Sequence, residues 1–260
     1  MLDPNHEETT LEVVHEGNVA RVALNRPHAR NAVDLALCIR LREVFETLDS
    51  DPTTRVVTIS GNGPSFCAGA DLKERKGKDE VWVRRRRIAS FAAYAAIEAC
   101  SKPVVALVHG SVVGSGGEIA MACDFIVGST DATFRFPEAH WGTVGATQRL
   151  QRVVGKRRAK ELLYTNRVID AAEAERLGVL VRTVDPQELP ATGADIAHRI
   201  ASAPPLSMAL TKRAIDLGAE TDLDRGIRIE MSAIEQNLAD GGWRSGIDRF
   251  LADHDDRSDR

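Results

Sequence analysis

The chain has 260 residues, of which 43% are hydrophobic and 5% aromatic, and its formal net charge at neutral pH is −4. This length and hydrophobic content predict a full buried core, in one large domain or in one domain with an appendage. The negative charge and the scarcity of aromatic side chains argue against a general affinity for nucleic acid, for an anionic membrane surface or for stacked bases.

The cysteines and the apolar segments indicate the cellular compartment of the protein and whether it binds a metal ion or a membrane. Cys38, Cys67, Cys100 and Cys123 show neither CxxC pairing nor metal-ligand spacing, so we predict no metal site. The beginning of the chain does not resemble a signal peptide, and no apolar run approaches the ~20 residues that a membrane span requires. We therefore expect a protein of the reducing cytoplasm without a membrane partner.

The first third of the chain predicts a hairpin followed by a strand–helix–strand unit. Residues 11–15 and 19–24 flank the turn signal Glu16-Gly17-Asn18, which indicates two antiparallel strands. Apolar residues then recur at helical spacing after Asp34, a suitable cap, and that helix should end near residues 51–52. Because residues 56–60 are typical of another strand, we expect a right-handed crossover between parallel strands.

The next segment contains a small, glycine-rich loop and an arginine-rich helix. Residues 61–73 read GNGPSFCAGADLK, a loop whose backbone could lie against a ligand or could be a plain connector. Its Cys67 has no histidine nearby in sequence to activate it, so we expect a buried, inert thiol. Residues 82–97 predict a long helix that carries arginines at positions 84–87. They favour a solvated or interface helix over a nucleic-acid stripe, and a role in holding an anionic cofactor stays open.

Residues 109–124 read HGSVVGSGGEIAMACD and follow a predicted strand at 103–108. This glycine-rich turn leads into an apolar helix at 119–123, with Glu118 in the first turn, and directs unpaired N–H groups at whatever binds there. Neither the P-loop pattern nor the dinucleotide fingerprint fits, because Glu118 and Ile119 stand where those motifs need other residues. The turn is suited to an oxygen that carries negative charge, although glycines that only allow close helix packing would look the same.

The remaining chain predicts the rest of an α/β core and then helices alone. We expect strands at 125–127 and 179–184, helices at 160–164 and 171–177, and a flexible connector at 142–149. Glu138 follows Pro137 and could simply be an acid at a helix entrance. Beyond residue 186 the pattern gives only amphipathic helices, at 189–201, 205–217, 227–238 and 247–252.

Several of these stretches together resemble the enoyl-CoA hydratase/isomerase family, also called the crotonase family. They are NRP at 25–27 with Asn31, SFCAGADLKE at 65–74, KPVVALVHGSVVGSGGEIAMACD at 102–124, FPE at 136–138 and TQRL at 147–150. The similarity covers nearly the whole chain. It implies an α/β fold with a core of repeated ββα units and the active site in residues 1–200. It also implies a C-terminal helical region, residues 201–260, that is used to assemble a homotrimer or a dimer of trimers.

The resemblance also implies a reaction and its residues. It implies that the backbone N–H groups of Ala70 and Ser115 form an oxyanion hole, and that Glu118 and Glu138 move protons while water adds to a trans-2-enoyl-CoA. The resemblance further implies contacts with the substrate or its CoA from Arg26, His28, Arg30, Ala68, Asp71, Leu72, Lys73, Gly114, Gly116, Pro137, His140 and Trp141. No cofactor is expected, since coenzyme A is part of the substrate, and no nucleic-acid partner. The alternatives are an isomerase or another enolate reaction on the same thioester, and a non-catalytic relative that binds CoA or RNA.

The sequence departs from the family pattern in four places. Ser115 replaces a glycine that is common in relatives, which should be tolerated because the donor is main-chain. The loop at 142–146 is a few residues shorter than usual, which leaves hydration and isomerisation both open. His140 and Trp141 are bulkier than the aliphatic residues common there and reshape the acyl pocket or only fill space. The tail at 253–260 is mostly acidic, so we expect CoA binding to depend on the basic residues named above.

Overall fold

A computed structural model describes residues 10–244, 246, 247 and 251. Among these residues the main sheet has six strands in the order β1-β2-β3-β4-β6-β9. Its strands are β1 (Leu11–Glu16), β2 (Val19–Leu24), β3 (Val56–Gly61), β4 (Val104–Val108), β6 (Phe125–Ser129) and β9 (Arg182–Val184). Only the β1–β2 pair is antiparallel, and every other neighbouring pair in this described sheet is parallel. The predicted hairpin and the predicted parallel crossover are both confirmed.

Two long helices cover one face of this sheet and contact each other. Helix α1 (Leu35–Ser50) begins where the Asp34 carboxylate accepts a hydrogen bond from the Leu37 N–H. Helix α2 (Glu80–Ala99) begins in the same way at Asp79. Such caps satisfy N–H groups that a helix leaves unpaired at its start, so both helices begin at predictable positions. The buried side of α1 joins the strands in the main hydrophobic core.

A second, smaller sheet lies beside the glycine-rich turn. The structure gives it the strands β5 (Ser111–Val113), β7 (Thr133–Arg135) and β8 (Ile169–Asp170), in the order β5-β7-β8 among the described residues. The sequence predicted neither β5 nor β8 as a strand. Both are too short to give a periodic pattern, and their pairing depends on contacts far along the chain. Its strand β5 directly precedes α3 (Ser115–Met121), and the Gly114 N–H between them donates to the Arg135 carbonyl at the end of β7.

The segment after Glu138 corrects one prediction. Residues 142–149 were expected to form a flexible connector, but helix α4 (Thr147–Thr165) already begins at Thr147. Ala146, with a φ of 53°, turns the chain into this helix, and Gly155, with a φ of 76°, kinks it. The high density of polar residues at the start of α4 hid its helical pattern. Arg149 is therefore fixed on a helix rather than free on a loop.

The C-terminal helices behave as predicted where the structure describes them. Helix α5 (Ala171–Arg176) precedes β9, which is shorter than the predicted strand, and α6 (Leu189–Ser202) packs on the main sheet. Helices α7 (Pro205–Ala219) and α8 (Leu223–Asp240) contact each other, and α8 has no buried residue. The predicted helix at 247–252 is only partly described, and the acidic tail at 253–260 lies outside the described residues. No helix in the described chain is long and apolar enough to cross a membrane.

Candidate active site

Two backbone segments run side by side and form the floor of the candidate site. The Cys67 N–H donates to the Ser111 carbonyl at 3.1 Å, and the Val113 N–H donates to the Cys67 carbonyl at 2.9 Å. A methyl group on Gly116 would lie 2.6 Å from that Cys67 carbonyl oxygen, so only glycine allows the two segments to approach this closely. The predicted loop at 61–73 is therefore held against the glycine-rich turn.

This contact brings the two predicted backbone donors onto neighbouring segments. Within the described part of the chain, neither the Ala70 N–H nor the Ser115 N–H has a hydrogen-bond acceptor. Gly114 makes the turn before α3 with a φ of 47° and a ψ of −105°, whereas Ser115 has no positive φ. A residue with a side chain is consequently tolerated at position 115, as predicted. Two free N–H groups of this kind can stabilise an oxygen on which negative charge develops.

Glu118 is buried in the first turn of α3 and is held at both carboxylate oxygens. The Ala146 N–H donates to its Oε1 at 2.6 Å, and Arg149 donates to its Oε2 at 2.7 Å. Arg149 also binds the Glu98 carboxylate through two hydrogen bonds of 2.7 Å. Burial alone would lower the pKa of Arg149, but its bonds to these two carboxylates raise it. Glu118 is therefore fixed in position by one cation and one backbone N–H.

Glu138 faces the same region from a short 3-10 helix, Glu138–Trp141, that follows Pro137. Its Oε2 is buried and has no hydrogen-bond partner among the described residues. Its Oε1 lies 2.7 Å from the point where a Cβ on Gly114 would sit. Burial raises the pKa of the Glu138 carboxyl and the nearby Glu118 raises it further, while its own backbone N–H and Arg87 lower it. The two acids therefore interact electrostatically but have opposite environments.

A buried tyrosine, Tyr94, lies next to both Ser115 and Arg149. Tyr94 is 2% exposed; burial raises the pKa of its hydroxyl, and the nearby Ser115 side chain lowers it. The Arg149 guanidinium lies over the Tyr94 ring, 5.4 Å from its centre. Tyr94 thus supports both the residue that offers a free N–H and the cation that holds Glu118.

Comparison with known proteins decides the family. The model of the enoyl-CoA hydratase/isomerase family matches residues 15–256. The chain belongs to this family. It is 37% identical over 250 residues to a crotonyl-CoA hydratase of Syntrophomonas wolfei, with 95% of each chain covered. It is 35% identical to a short-chain-enoyl-CoA hydratase of Clostridium acetobutylicum, covering 91% of this chain and 92% of the relative.

Solved structures of the family share this fold. An enoyl-CoA hydratase of Bacillus anthracis superposes with a TM-score of 0.90 at 34% identity, covering 93% of this chain and 95% of that one. One from Geobacillus kaustophilus gives a TM-score of 0.86 at 32% identity, covering 93% of this chain and 95% of that one. The predicted fold class, an α/β core of the crotonase type followed by C-terminal helices, is confirmed.

Several of the residues predicted to contact substrate or CoA line the approach to the two free N–H groups. Ala68, Asp71, Leu72 and Lys73 belong to the loop that carries Ala70 or directly follow it, and Leu72 and Lys73 are exposed. Gly114, Gly116 and Pro137 are buried next to Ser115 and Glu138. Their contact with a substrate stays a prediction that this geometry permits.

The basic residues predicted to bind CoA divide into two groups. His28, Arg30 and Lys73 are exposed. Arg26 instead lies between two carboxylates, 3.0 Å from Asp34 and 3.1 Å from Asp71. Its guanidinium therefore fixes Asp71 beside the loop, and a direct contact between Arg26 and CoA would have to compete with these ion pairs.

His140 and Trp141 follow Glu138 on the same short helix but differ in their surroundings. The His140 Nε2 is 2.7 Å from the Tyr164 carbonyl oxygen near the end of α4, and Trp141 is half exposed. His140 thus connects this short helix to α4. A role for either residue in the acyl pocket stays a prediction.

The sequence reasoning missed the residues that hold the site together. Arg149 was noted only within the TQRL stretch, and no role was predicted for Tyr94 or Ala146. Asn31 is fully buried and its amide donates to the Asn62 and Ser65 carbonyls, which ties the NRP turn to the candidate loop. A signal existed for Arg149, because it belongs to the TQRL stretch that resembles the family.

The remaining chemical candidates are inert. Cys67 is fully buried, and burial raises the pKa of its thiol to about 12. Such a thiol stays protonated at neutral pH and is a poor nucleophile, as predicted. No cluster of three or more histidine, cysteine or acidic side chains suited to a metal ion occurs among the residues that the structure describes.

Proposed function

We propose that the chain is an enoyl-CoA hydratase, which adds water across the α,β double bond of a trans-2-enoyl-CoA thioester. The observation that supports this most is the pair of acids with opposite environments beside two free N–H groups. Glu118 accepts hydrogen bonds from Arg149 and Ala146, whereas burial favours the protonated form of Glu138. A hydration needs this combination of one proton acceptor and one proton donor.

The reaction follows from these groups. The water oxygen attacks the β-carbon while Glu118 takes a proton from it, and the π electrons of the double bond move toward the thioester carbonyl. The resulting enolate oxygen is stabilised by the Ala70 and Ser115 N–H groups, which form the oxyanion hole. Glu138 then gives its proton to the α-carbon, and the carbonyl re-forms in a 3-hydroxyacyl-CoA. The proton on Glu118 returns to Glu138 through solvent before the next turnover. No cofactor takes part beyond the CoA of the substrate.

Loss of the ultraviolet absorbance of the enoyl thioester on addition of protein to crotonyl-CoA tests this proposal. Glu118→Gln and Glu138→Gln should each lower the hydration rate by about 10²- to 10⁴-fold, the usual contribution of a positioned acid or base. Glu175→Gln, at an exposed position on α5, is the matched control and should retain full activity. A folded Glu118→Gln or Glu138→Gln protein that hydrates crotonyl-CoA at the control rate would contradict the two-acid mechanism.

Isomerisation remains the second candidate because of one observation. Both oxygens of Glu118 already accept hydrogen bonds, so the free oxygen of Glu138 is better placed to remove and return a substrate proton. Two measurements in heavy water distinguish the reactions: deuterium uptake by a β,γ-unsaturated acyl-CoA, and hydration of the α,β-unsaturated crotonyl-CoA beside it. Bond migration or deuterium uptake without hydration would assign the chain as an isomerase, while fast hydration with negligible exchange would retain the hydratase. The described arginines do not favour RNA binding, since Arg86 is buried and paired with Glu74.

Self-association completes the proposal. The α7–α8 pair leaves large apolar side chains exposed, among them Ile215, Leu223, Ile227, Met231 and Ile234. A surface of this kind is typical of a subunit interface, so we propose that residues 201–260 assemble a homotrimer or a dimer of trimers around the core of residues 1–200. Light scattering that gives a monomer at micromolar concentration would reject it. Four unpaired thiols support a location in the reducing cytoplasm.

A further inference from the structure

The four consecutive arginines of α2 have three different environments. Arg84 and Arg85 are exposed. Arg86 is 1% exposed and binds Glu74 at 2.8 Å and the Ser90 hydroxyl at 2.6 Å, so it belongs to the core. Arg87 is half-buried and points toward the short loop after Glu138, where its Nη2 donates to the Thr143 hydroxyl at 2.5 Å. Only Arg87 of the four reaches the candidate active site.

Arg87 approaches the Glu138 side chain next to Gly145. Its Nη1 is 3.5 Å from the point where a Cβ on Gly145 would sit, and the Glu138 Cγ is 2.9 Å from the same point. No carboxylate forms an ion pair with Arg87 in the described part of the molecule. A half-buried guanidinium with only one hydroxyl partner retains most of its five donors for a ligand.

A second arginine converges on the same region from a different element. Arg75 ends the short 3-10 helix, Lys73–Arg75, that follows the oxyanion loop. Its Nε is buried and has no acceptor among the described residues. Burial lowers the pKa of Arg75 and the charges of Arg86 and Arg87 lower it further, while those of Glu74 and Tyr94 raise it. The bond between Glu74 and Arg86 holds this short helix against α2, so Arg75 lies near the part of α2 that carries Arg87.

The nearby carboxylates do not neutralise these two arginines. Glu74 gives one oxygen to Arg86 and the other to the Leu35 N–H. Glu118 is engaged by Arg149 and Ala146. Two partly buried guanidinium groups of like charge, one with an orphaned N–H, are costly unless an anion binds between them. We therefore expect a ligand to supply the negative charge that binds these two arginines.

We propose that Arg75 and Arg87 form an anion-binding subsite at the acyl end of the active site, and that the preferred substrate is a trans-2-enoyl-CoA whose acyl chain ends in a carboxylate. This inference rests on the proposed function. In this proposal the thioester oxygen binds at Ala70 and Ser115, Glu138 acts on the double bond, and the chain beyond the β-carbon ends near Arg87, which lies beside Glu138. Arginine is the side chain best suited to bind a carboxylate through two parallel hydrogen bonds.

A pair of substrates that differ only in charge tests the subsite. The probes are glutaconyl-CoA, a five-carbon enoyl thioester with a terminal carboxylate, and its neutral monoamide. We expect the ratio of kcat/KM values to favour the carboxylate by about 10- to 100-fold, the worth of a hydrogen bond to a charged group. Arg75→Met and Arg87→Met should each remove most of this preference. Both substrates react at the same Glu138. A general disturbance of its loop therefore lowers both kcat/KM values alike and leaves their ratio unchanged. Arg85→Met, on the same helix but exposed, is the matched control and should leave the ratio unchanged.

Binding of saturated analogues separates this inference from the proposed reaction. Calorimetric titration with glutaryl-CoA and its monoamide should show the same 10- to 100-fold preference in the wild-type chain, and its loss in Arg75→Met and Arg87→Met. If neither enoyl thioester is hydrated but the binding preference is found, the hydratase proposal fails and the anion subsite stands. If the wild-type chain binds both analogues equally, the subsite is wrong. If either arginine variant weakens both analogues and free CoA alike, the arginine binds a CoA phosphate, which would also overturn the proposal.

Discussion

Gly114 offers a direct test of whether the position of Glu138 matters, because a methyl group added there would press on the carboxylate. A Cβ at position 114 would lie 2.7 Å from the Glu138 Oε1, while an ordinary contact begins at 3.4 Å. In Gly114→Ala the carboxylate must therefore move by about 0.7 Å, which is cheap for the end of a flexible side chain. A displacement of about 1 Å from the reacting atoms can cost about 100-fold in rate. We expect kcat to fall by about 10- to 100-fold.

The same substitution also strains the backbone, and a matched variant isolates that effect. A non-glycine residue forced into a φ of 47° with a ψ of −105° costs about 1 to 3 kcal/mol, or a fall in Tm of roughly 2 to 12 °C for a domain of this size. Gly17 has a φ of 59° and nothing within 4 Å of its Cβ position, so Gly17→Ala strains the hairpin without touching any side chain. It should lose about 1 to 2 kcal/mol of stability and keep full activity.

Crotonyl-CoA hydration and thermal denaturation of both variants provide the assay, and a double-mutant cycle assigns the cause. In a Glu138→Gln background the proton donor is already gone, so adding Gly114→Ala should cost far less activity than it does in the wild-type chain. Two results would refute this reasoning. One is a Gly114→Ala protein as active as Gly17→Ala. The other is an equal loss in both backgrounds, which would place the damage at the Ser115 N–H rather than at Glu138.

Three further predictions concern the groups around the two acids. Tyr94→Phe should lower kcat by a few-fold while leaving KM nearly unchanged, because the Ser115 side chain loses the neighbouring hydroxyl. In hydration kinetics, the Tyr94→Phe, Ser115→Gly double variant should be no slower than Tyr94→Phe alone. Arg149→Met should destabilise the chain by about 3 to 5 kcal/mol in urea denaturation, since it leaves the buried Glu118 without its cation, whereas Glu98→Gln, which removes the more exposed partner, should cost about 1 kcal/mol or less. Glu138→Gln should be more stable than the wild-type chain at pH 8 but not at pH 4, as urea denaturation at the two pH values will show. Burial raises the pKa of the Glu138 carboxyl, so its ionised form, which dominates at high pH, opposes folding. The difference in stability must vanish at low pH, where the acid is protonated in both the folded and the unfolded chain.

The parts of the fold that the sequence predicted are those whose signals are local. The hairpin around Gly17, the capped helix after Asp34 and the buried strand at 104–108 each depend on a few adjacent residues. Strand β5 depends instead on a distant contact, the pairing of residues 111–113 with residues 133–135. No short window along the chain contains that information, so β5 was missed, whereas the start of α4 was missed because its polar residues hide the helical pattern.

The candidate site divides in the same way. Glu118, Glu138 and the glycine-rich turn were found because their motifs are contiguous, and the resemblance to the family assigned them roles. The groups that surround these acids were not found, since the Arg149–Glu118 pair spans 31 positions and the orphaned oxygen of Glu138 is visible only in three dimensions. Burial, which raises the pKa of Glu138, and ion pairing, which positions Glu118, cannot be read from residue types alone.

The short loop after Glu138 contacts both acids proposed for the reaction and the arginine proposed to bind the substrate. It carries three separate contacts: Ala146 donates to Glu118, Thr143 accepts from Arg87, and Gly145 leaves room for the Glu138 side chain. These contacts place the loop backbone on Glu118 and orient Arg87 beside Glu138. The loop that the family resemblance predicts to be short is thus the one that holds a cation next to the proposed proton donor. If the proposed subsite is correct, the same loop positions both the acid that acts on the double bond and the arginine that binds the far end of the acyl chain.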